Sequence, residues 1–242
     1  MKNVLITGGA SGLGNYLAKA FKENNYNVII TYNSHRDEAY NLRDNYNIDV
    51  YKCDLTSEED INNTYNQISS KYDNIDILIN NASLEEDSEV SFKTKEIFIK
   101  SYDVNVVGPF LLTRLVGDKM YENKSGKIIF VSSNNAINKM DPVTMEYDAS
   151  KSAVNSMAKN FAIHYSPYVI VNAVAPGWIL TDRVNNQNNE LHGMLEKEES
   201  KKILLNRFAT MEDISNLLLF MSSDKCNYIN GEIIKIDGGT NF

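Results

Sequence analysis

Val4-Leu5-Ile6-Thr7-Gly8-Gly9-Ala10-Ser11-Gly12-Leu13-Gly14 is the stretch that decides the fold. A short apolar run leads straight into a glycine-rich turn, and an amphipathic segment carries on to about residue 24. Glycines here permit a tight turn and let the backbone approach a pyrophosphate, while the first N–H groups of the following helix present a positive dipole end. The spacing is Gly-x-x-x-Gly-x-Gly rather than the commoner dinucleotide fingerprint. Such a loop alone decides little; the strand before it and the helix after it give it weight.

Outward from that turn, short apolar runs alternate with helix-period segments along the whole chain. Strands are expected at 4–6, 28–32, 50–53, 75–79, 127–132, 169–174 and 233–236. Helices are expected near 12–24, 36–46, 57–71, 92–121, 144–165 and 211–221. Ile75-Asp76-Ile77-Leu78-Ile79 and Ile128-Ile129-Phe130-Val131 read as nearly continuous hydrophobics, as strands covered on both faces do. The pattern predicts an α/β, doubly wound parallel sheet of about seven strands with helices on both faces. No linker, repeat or low-complexity tract divides it, so one domain over 1–242 is the economical reading. The stretch 182–206 breaks the rhythm, first Asn-rich and then charged. Its place just after a strand end, where open α/β sheets bind ligands, predicts a mobile substrate lid.

Composition excludes several classes. The chain of 242 residues is 43% hydrophobic and 23% charged, as soluble globular domains are, and is long enough for a full core. A net charge of −8 disfavours nucleic acid and anionic membranes as partners, so any phosphate site must be local. Two cysteines, Cys53 and Cys226, form no metal or disulfide framework and fit a reducing compartment. With no signal peptide and no 18-residue apolar stretch, cytoplasmic localisation is expected. His35, His164 and His192 lack metal-ligand spacing and are assigned structural or solvent roles, and no metal is expected.

Tyr147 and Lys151 stand one helical turn apart, which puts both on one helix face. A phenol that works near neutrality must lower its pKa by about three, worth roughly 4 kcal/mol. One ammonium about 4 Å away at an effective dielectric near 20 supplies about that much.

Together, Thr7-Gly8-x-x-x-Gly12-x-Gly14 and Tyr147-x-x-x-Lys151 resemble the short-chain dehydrogenase/reductase family. Further matches come in that family's order: Asp54, Asn80-Asn81-Ala82, Asn105, Ser132-Ser133, Pro176-Gly177 and Asp237-Gly238-Gly239. The likeness spans essentially the whole chain and implies a single-domain Rossmann-type NAD(P)-binding fold. It implies that Tyr147 exchanges a proton with the substrate oxygen, that Lys151 lowers the phenol pKa and holds the nicotinamide ribose, and that Ser133 steadies the same oxygen. Asn105 would hold a water linking Lys151 to solvent. Successive side chains on a strand point oppositely, and alignment with the family's fifth strand selects Ser133 over Ser132. Ser133 and Tyr147 lie one residue further apart than is usual, which points to an insertion in the loop 134–146.

The cofactor residues implied are Gly8, Ser11, Gly12, Leu13 and Gly14 at the pyrophosphate; Asp54 and Leu55 at the adenine; Asn81 and Ala82 along the ribose; and Pro176, Gly177, Ile179 and Thr181 at the nicotinamide. Asp54 could equally sit in a turn or cap the next helix. Ser83 stands where the family usually has glycine. At the end of the second strand no carboxylate precedes Asp37, and Asn33, Ser34 and Arg36 offer donors to a 2′-phosphate, so NADP(H) is favoured over NAD(H). Against this, Ser11 stands where many NADP-preferring members carry a basic residue.

The overall layout is similar to 3-oxoacyl-acyl-carrier-protein reductases and implies hydride transfer between nicotinamide and a carbonyl or secondary alcohol, a 3-oxoacyl thioester among the candidates. Where those enzymes tend to carry basic residues for the acidic carrier, this chain has Lys124 and Pro167. A homotetramer is implied, paired through the helices near 92–121 and 144–165. Rival readings are a catalytically idle dinucleotide sensor or scaffold and a nicotinamide-dependent epimerase. Trp178 serves either packing or substrate contact, and Met140, Met145 and Met194 fall in segments expected to line the pocket. Glu85-Glu86-Asp87 reads as a solvated turn.

Overall fold

The computed structural model describes residues 1–240; positions 241 and 242 of the expected domain lie outside the described residues. Seven strands, β1 (Asn3–Ile6), β2 (Asn27–Tyr32), β3 (Asp49–Lys52), β4 (Ile77–Asn80), β5 (Gly126–Val131), β6 (Val169–Pro176) and β7 (Ile233–Ile236), form one parallel sheet ordered 3-2-1-4-5-6-7. Period-2 alternation serves both faces at once. Val4 and Ile6 of β1 join Leu17 and Phe21 of α1 (Gly12–Glu23), Leu42 of α2 (Arg36–Tyr46) and Leu218 of a late helix in one core. Leu5, between them, points into a second core with Ile68 of α3 (Glu58–Lys71) and further helices of that face. Strands covered on both sides need apolar residues at both phases, which is why they read as continuous hydrophobic runs.

The expected long helix 92–121 is interrupted. It begins as a single 3₁₀ turn (Val90–Phe92), continues as α4 (Lys95–Tyr102), widens into a π-turn over Asp103–Val107 and resumes as α5 (Gly108–Glu122). Pro109 in the first turn of α5 lacks an N–H, so the ladder cannot continue evenly through it. Gly108 also lies where a Cβ would stand 2.5 Å from the carbonyl oxygen of Leu55, which fixes how closely this corner meets the loop after β3. The widened turn aims Asn105 inward.

The catalytic-helix candidate is α6 (Met145–His164), one residue shorter at each end than expected. In the stretch 182–206 the Asn-rich run folds as α7 (Asp182–Glu190), followed by α8 (Met194–Glu199). Thr181 caps α7 by accepting from the Val184 amide at 3.3 Å, and α7 buries none of its residues. The last helix, α9 (Met211–Ser222), opens with a reciprocal Thr210–Asp213 capping box. Its C-terminus is closed by Lys127 of β5, a buried lysine whose Nζ donates to the carbonyls of Cys226 at 2.7 Å and Met221 at 3.2 Å. Among the described residues no helix is long and apolar enough to cross a membrane.

Candidate active site

The sheet order reverses between β1 and β4, so the loops after these strands part and leave a crevice at their carboxyl ends. A cleft of about 1040 Å³ occupies it. Thr7 pins its floor: its Oγ1 accepts from the backbone N–H groups of Asn81 and Ala82, each at 3.0 Å. The side chain of Asn81 in turn donates to the Thr7 carbonyl at 3.0 Å. The turn after β1 folds so tightly that a Cβ on Gly14 would lie 2.2 Å from the Gly8 carbonyl oxygen, and 2.7 Å from the Asn81 side chain of the loop after β4. Gly8 holds φ +63°, and a Cβ there would lie 2.9 Å from Ala82 Cα. This bare backbone cradle beside the open N-terminus of α1 fits a dinucleotide pyrophosphate.

Of the expected cofactor residues, all but Gly12 and Arg36 lie on the cleft wall. Gly12 contributes conformation only, at φ +51° with open space where a Cβ would be. Arg36 is a correction: its guanidinium turns away onto the Tyr40 ring, 4.9 Å from the centroid, in a stack that Arg43 shares. An exposed guanidinium finds a stable partner in that aromatic face. His35 lies on the wall beside it, exposed and bonded to Ser34 Oγ at 3.2 Å. Asp54 combines both readings left open for it. It lines the cleft, while its Oδ1 accepts from the N–H and hydroxyl of Thr56 at 2.9 and 2.8 Å; the cap of α3 is Ser57.

Ser133, Tyr147 and Lys151 converge on the wall of this cleft. The Ser133 hydroxyl, which accepts from the Asn135 amide at 3.2 Å, faces the Tyr147 phenol and favours its ionised form. Ser132 is committed elsewhere, its Oγ donating to the Lys151 carbonyl at 3.3 Å. Lys151 is buried, with Nζ donating to the Val131 carbonyl at 2.7 Å and standing 5.5 Å from the centre of the Tyr147 ring. Asn105 lies behind the wall. Its amide donates to the Leu84 carbonyl at 2.8 Å and Ser150 Oγ at 2.9 Å, and its Oδ1 accepts from the Leu84 amide at 2.7 Å. It therefore holds the backbone of the loop that carries Glu85.

The electrostatics differ from the simple ammonium–phenol expectation. Burial pushes the Tyr147 phenol well up, the charge of Glu85 adds to this, and the Ser133 hydroxyl opposes it. Burial also pushes the Lys151 ammonium down to about 8, with Glu85 opposing. Taking both groups out of water disfavours both charged forms, so in the free protein Lys151 does not bring the phenol toward neutrality.

The substrate end is more charged than the sequence suggested. Trp178 lines the cleft, stacks on Phe208 at 5.3 Å and carries Lys139 over its ring at 4.3 Å. Asp148 anchors the loop 134–146 by accepting from Asn135 at 2.9 Å, Thr144 at 3.0 Å and the Asp141 amide at 2.9 Å. Beside it, buried Glu146 pairs with buried Lys93 at 2.6 Å, tying the loop after β4 to the start of α6. Met140, Met145 and Met194 are exposed and absent from the wall, where Lys139, Val143 and Leu195 stand in those segments. Glu85 and Asp87, read as a solvated turn, line the cleft and pair with Arg183 of α7. No local pattern could reveal that pairing across about a hundred residues of chain. Among the described residues no cluster of His, Cys, Asp and Glu could hold a metal.

Residues 8–241 match a family model described as enoyl-(acyl carrier protein) reductase. The 3-oxoacyl-[acyl-carrier-protein] reductase FabG of Rickettsia felis is 32% identical over 98% of this chain and 96% of its own. FabG of Aquifex aeolicus is likewise 32% identical, over 97% and 95%. Among solved structures, ElxO with NADP bound superposes with a TM-score of 0.90 at 29% identity, covering 98% of this chain and 97% of that one.

The depressed Lys151 makes a stability prediction. Below pH 8 both the folded and unfolded chain hold the proton, and the fold bears the full cost of burying the charge. Between about pH 8 and the unfolded value of about 10.4, the unfolded chain binds more protons, so stability attributable to this group rises with pH. Lys151→Met should therefore melt higher than the parent at pH 7, by about 1–2 kcal/mol, with the advantage shrinking toward pH 10. Thermal melts at both pH values check this; a variant less stable at pH 7 would contradict it.

Proposed function

The chain belongs to the short-chain dehydrogenase/reductase family, and from that premise we propose that this NAD(P)-dependent oxidoreductase uses NADPH to reduce the ketone of a small 3-oxo compound, a 3-oxoacyl thioester being the leading class. The single observation that carries the reading is the convergence of Ser133, Tyr147 and Lys151 on the wall of one dinucleotide-sized cleft, with Lys151 Nζ 5.5 Å from the Tyr147 ring centre. When bound, the nicotinamide cofactor supplies or accepts the hydride. Tyr147 gives its proton to the substrate oxygen in reduction and takes it back in oxidation. Ser133 donates to the same oxygen as charge builds there. Lys151, held by the Val131 carbonyl, faces the ribose and returns the proton to Tyr147. Asn105, locked to the Leu84 backbone, forms with a water the inner end of the relay to solvent.

Preference for NADP is supported by the wall at the end of β2, where Asn33, Ser34 and His35 present donors and no carboxylate. The segment 182–206 serves as a lid, a role supported by α7 burying no residue of its own. A homotetramer is supported by apolar side chains left exposed along the outer helices, namely Ile99, Val107, Phe110 and Ile163. Free buried Cys53 and Cys226 agree with the reducing cytoplasm.

Tyr147→Phe should lose about 10³-fold in turnover while keeping cofactor affinity. The assay is NADPH oxidation with acetoacetyl thioester and a panel of ketones; undiminished turnover in the variant, or silence across the panel, would count against the reading. His35→Ala should raise the NADPH KM about tenfold with little change for NADH, since one charge-assisted contact is worth roughly that much. Arg36→Ala should change neither, and steady-state kinetics with both cofactors separate these outcomes. Light scattering should return four times the 27.4 kDa chain mass.

A further inference from the structure

The loop after β4 and the first turn of α7 meet across the mouth of the cleft. Arg183 Nη1 contacts Glu85 Oε2 and Nη2 contacts Asp87 Oδ2, both at 2.7 Å, and Gln187 of the next turn donates to the same Asp87 oxygen at 3.3 Å. Because α7 buries none of its residues, this clamp, the Thr181 cap and the Asn188–Glu196 bonds seat it. The clamp is half open to water, with the Arg183 side chain 48% exposed and Glu85 30%. It is therefore made and broken easily.

Glu85 is also the carboxylate that acts on the catalytic pair. Charges facing Tyr147 come from three elements: Glu85 on the loop after β4, Asp148 and Lys151 on its own helix, and Arg183 on α7. Asp148 is held by Asn135, Thr144 and the Asp141 amide, so its field is constant. Charges facing Glu85 are Arg183, Asp87, Asp148 and, from α6, Lys151. Of all these groups, Arg183 sits on the helix with no buried anchor, so its charge is the one that changes when α7 moves.

We propose that Glu85 and Arg183 are positioning residues for Tyr147: when α7 closes, Arg183 cancels the Glu85 charge beside the phenol, so lid position sets how readily Tyr147 yields its proton. With α7 withdrawn, Glu85 stands uncompensated and keeps the proton on the phenol oxygen. With α7 seated, the ion pair removes that opposition, and proton release is eased only while the cleft is covered. No proton passes between Arg183 and Glu85; the clamp acts through charge. The inference rests on Tyr147 being the proton donor, and it gives Glu85 a use that a solvated turn would not have.

The test reads the phenol directly. Protein labelled with ¹³C at tyrosine Cζ is titrated with NADP⁺ bound, the Tyr147 signal being assigned by its loss in Tyr147→Phe. Glu85→Gln should lower the Tyr147 midpoint by about one pH unit, and Arg183→Gln should raise it by a similar amount. In the Glu85→Gln background, Arg183→Gln should move the midpoint less than half as far, whereas Arg183→Lys alone should keep most of the parent value. An unmoved midpoint in Glu85→Gln, or equal shifts from Arg183→Gln in both backgrounds, would overturn the proposal. If Glu85→Gln does not fold, the exposed Arg183→Gln decides alone, and no shift there overturns it. Because turnover is not the readout, failure here is distinct from failure of the catalytic reading, which falls on the activity of Tyr147→Phe.

Discussion

Dehydration of one phenol and one ammonium is the constraint around which this cleft is organised. Tyr147 and Lys151 share a helix face, yet neither is solvated well enough to ionise as its type ordinarily does. In water an ammonium would ease the phenol toward its anion. Here burial works against both charged forms, and the remaining neighbours decide the balance: Ser133 favours the phenolate, and Glu85 opposes it while favouring the ammonium. Such a site is held by its surroundings rather than by its own pairing, which explains the density of fixed contacts behind it. Val131 holds Lys151, Asn105 holds the Leu84 backbone, and Asp148 holds the neighbouring loop.

Those contacts converge because of the sheet. Reversal of strand order between β1 and β4 opens the crevice, and Thr7 with Asn81 stitches its floor so that the glycine-rich loop after β1 meets the backbone of the loop after β4. The interrupted helix around Asn105 follows from the same crowding. Gly108 presses against Leu55, Pro109 cannot extend the ladder, and the wider turn carries an amide into the space behind Lys151. Stability and function thus draw on the same few close approaches.

Much of this was legible in the chain. The strands fell within a residue or two of their expected bounds, because buried parallel strands must be apolar at both phases. The glycine turn, the Tyr147–Lys151 spacing and Ser133 were readable because each is local or set by strand phase. The misses share one cause, since each depended on where a side chain turns once the chain has folded. Arg36 offered donors to a phosphate but stacks on Tyr40, one turn along its own helix, and His35 lines the cleft beside it. Glu85 and Asp87 looked solvated because Arg183 arrives from the far side of the cleft. The three methionines lay in the correct segments but turned outward.

The sequence by itself determined the architecture, the place of the glycine-rich cradle and the one-turn pairing of Tyr147 with Lys151, because hydrophobic period, turn chemistry and one-turn helical spacing are local properties of the chain. Only the tertiary structure decided the charge environment of those residues. Burial and the distance between opposite charges exist only once the loop after β4, the start of α6 and the helix α7 have been brought to the same crevice.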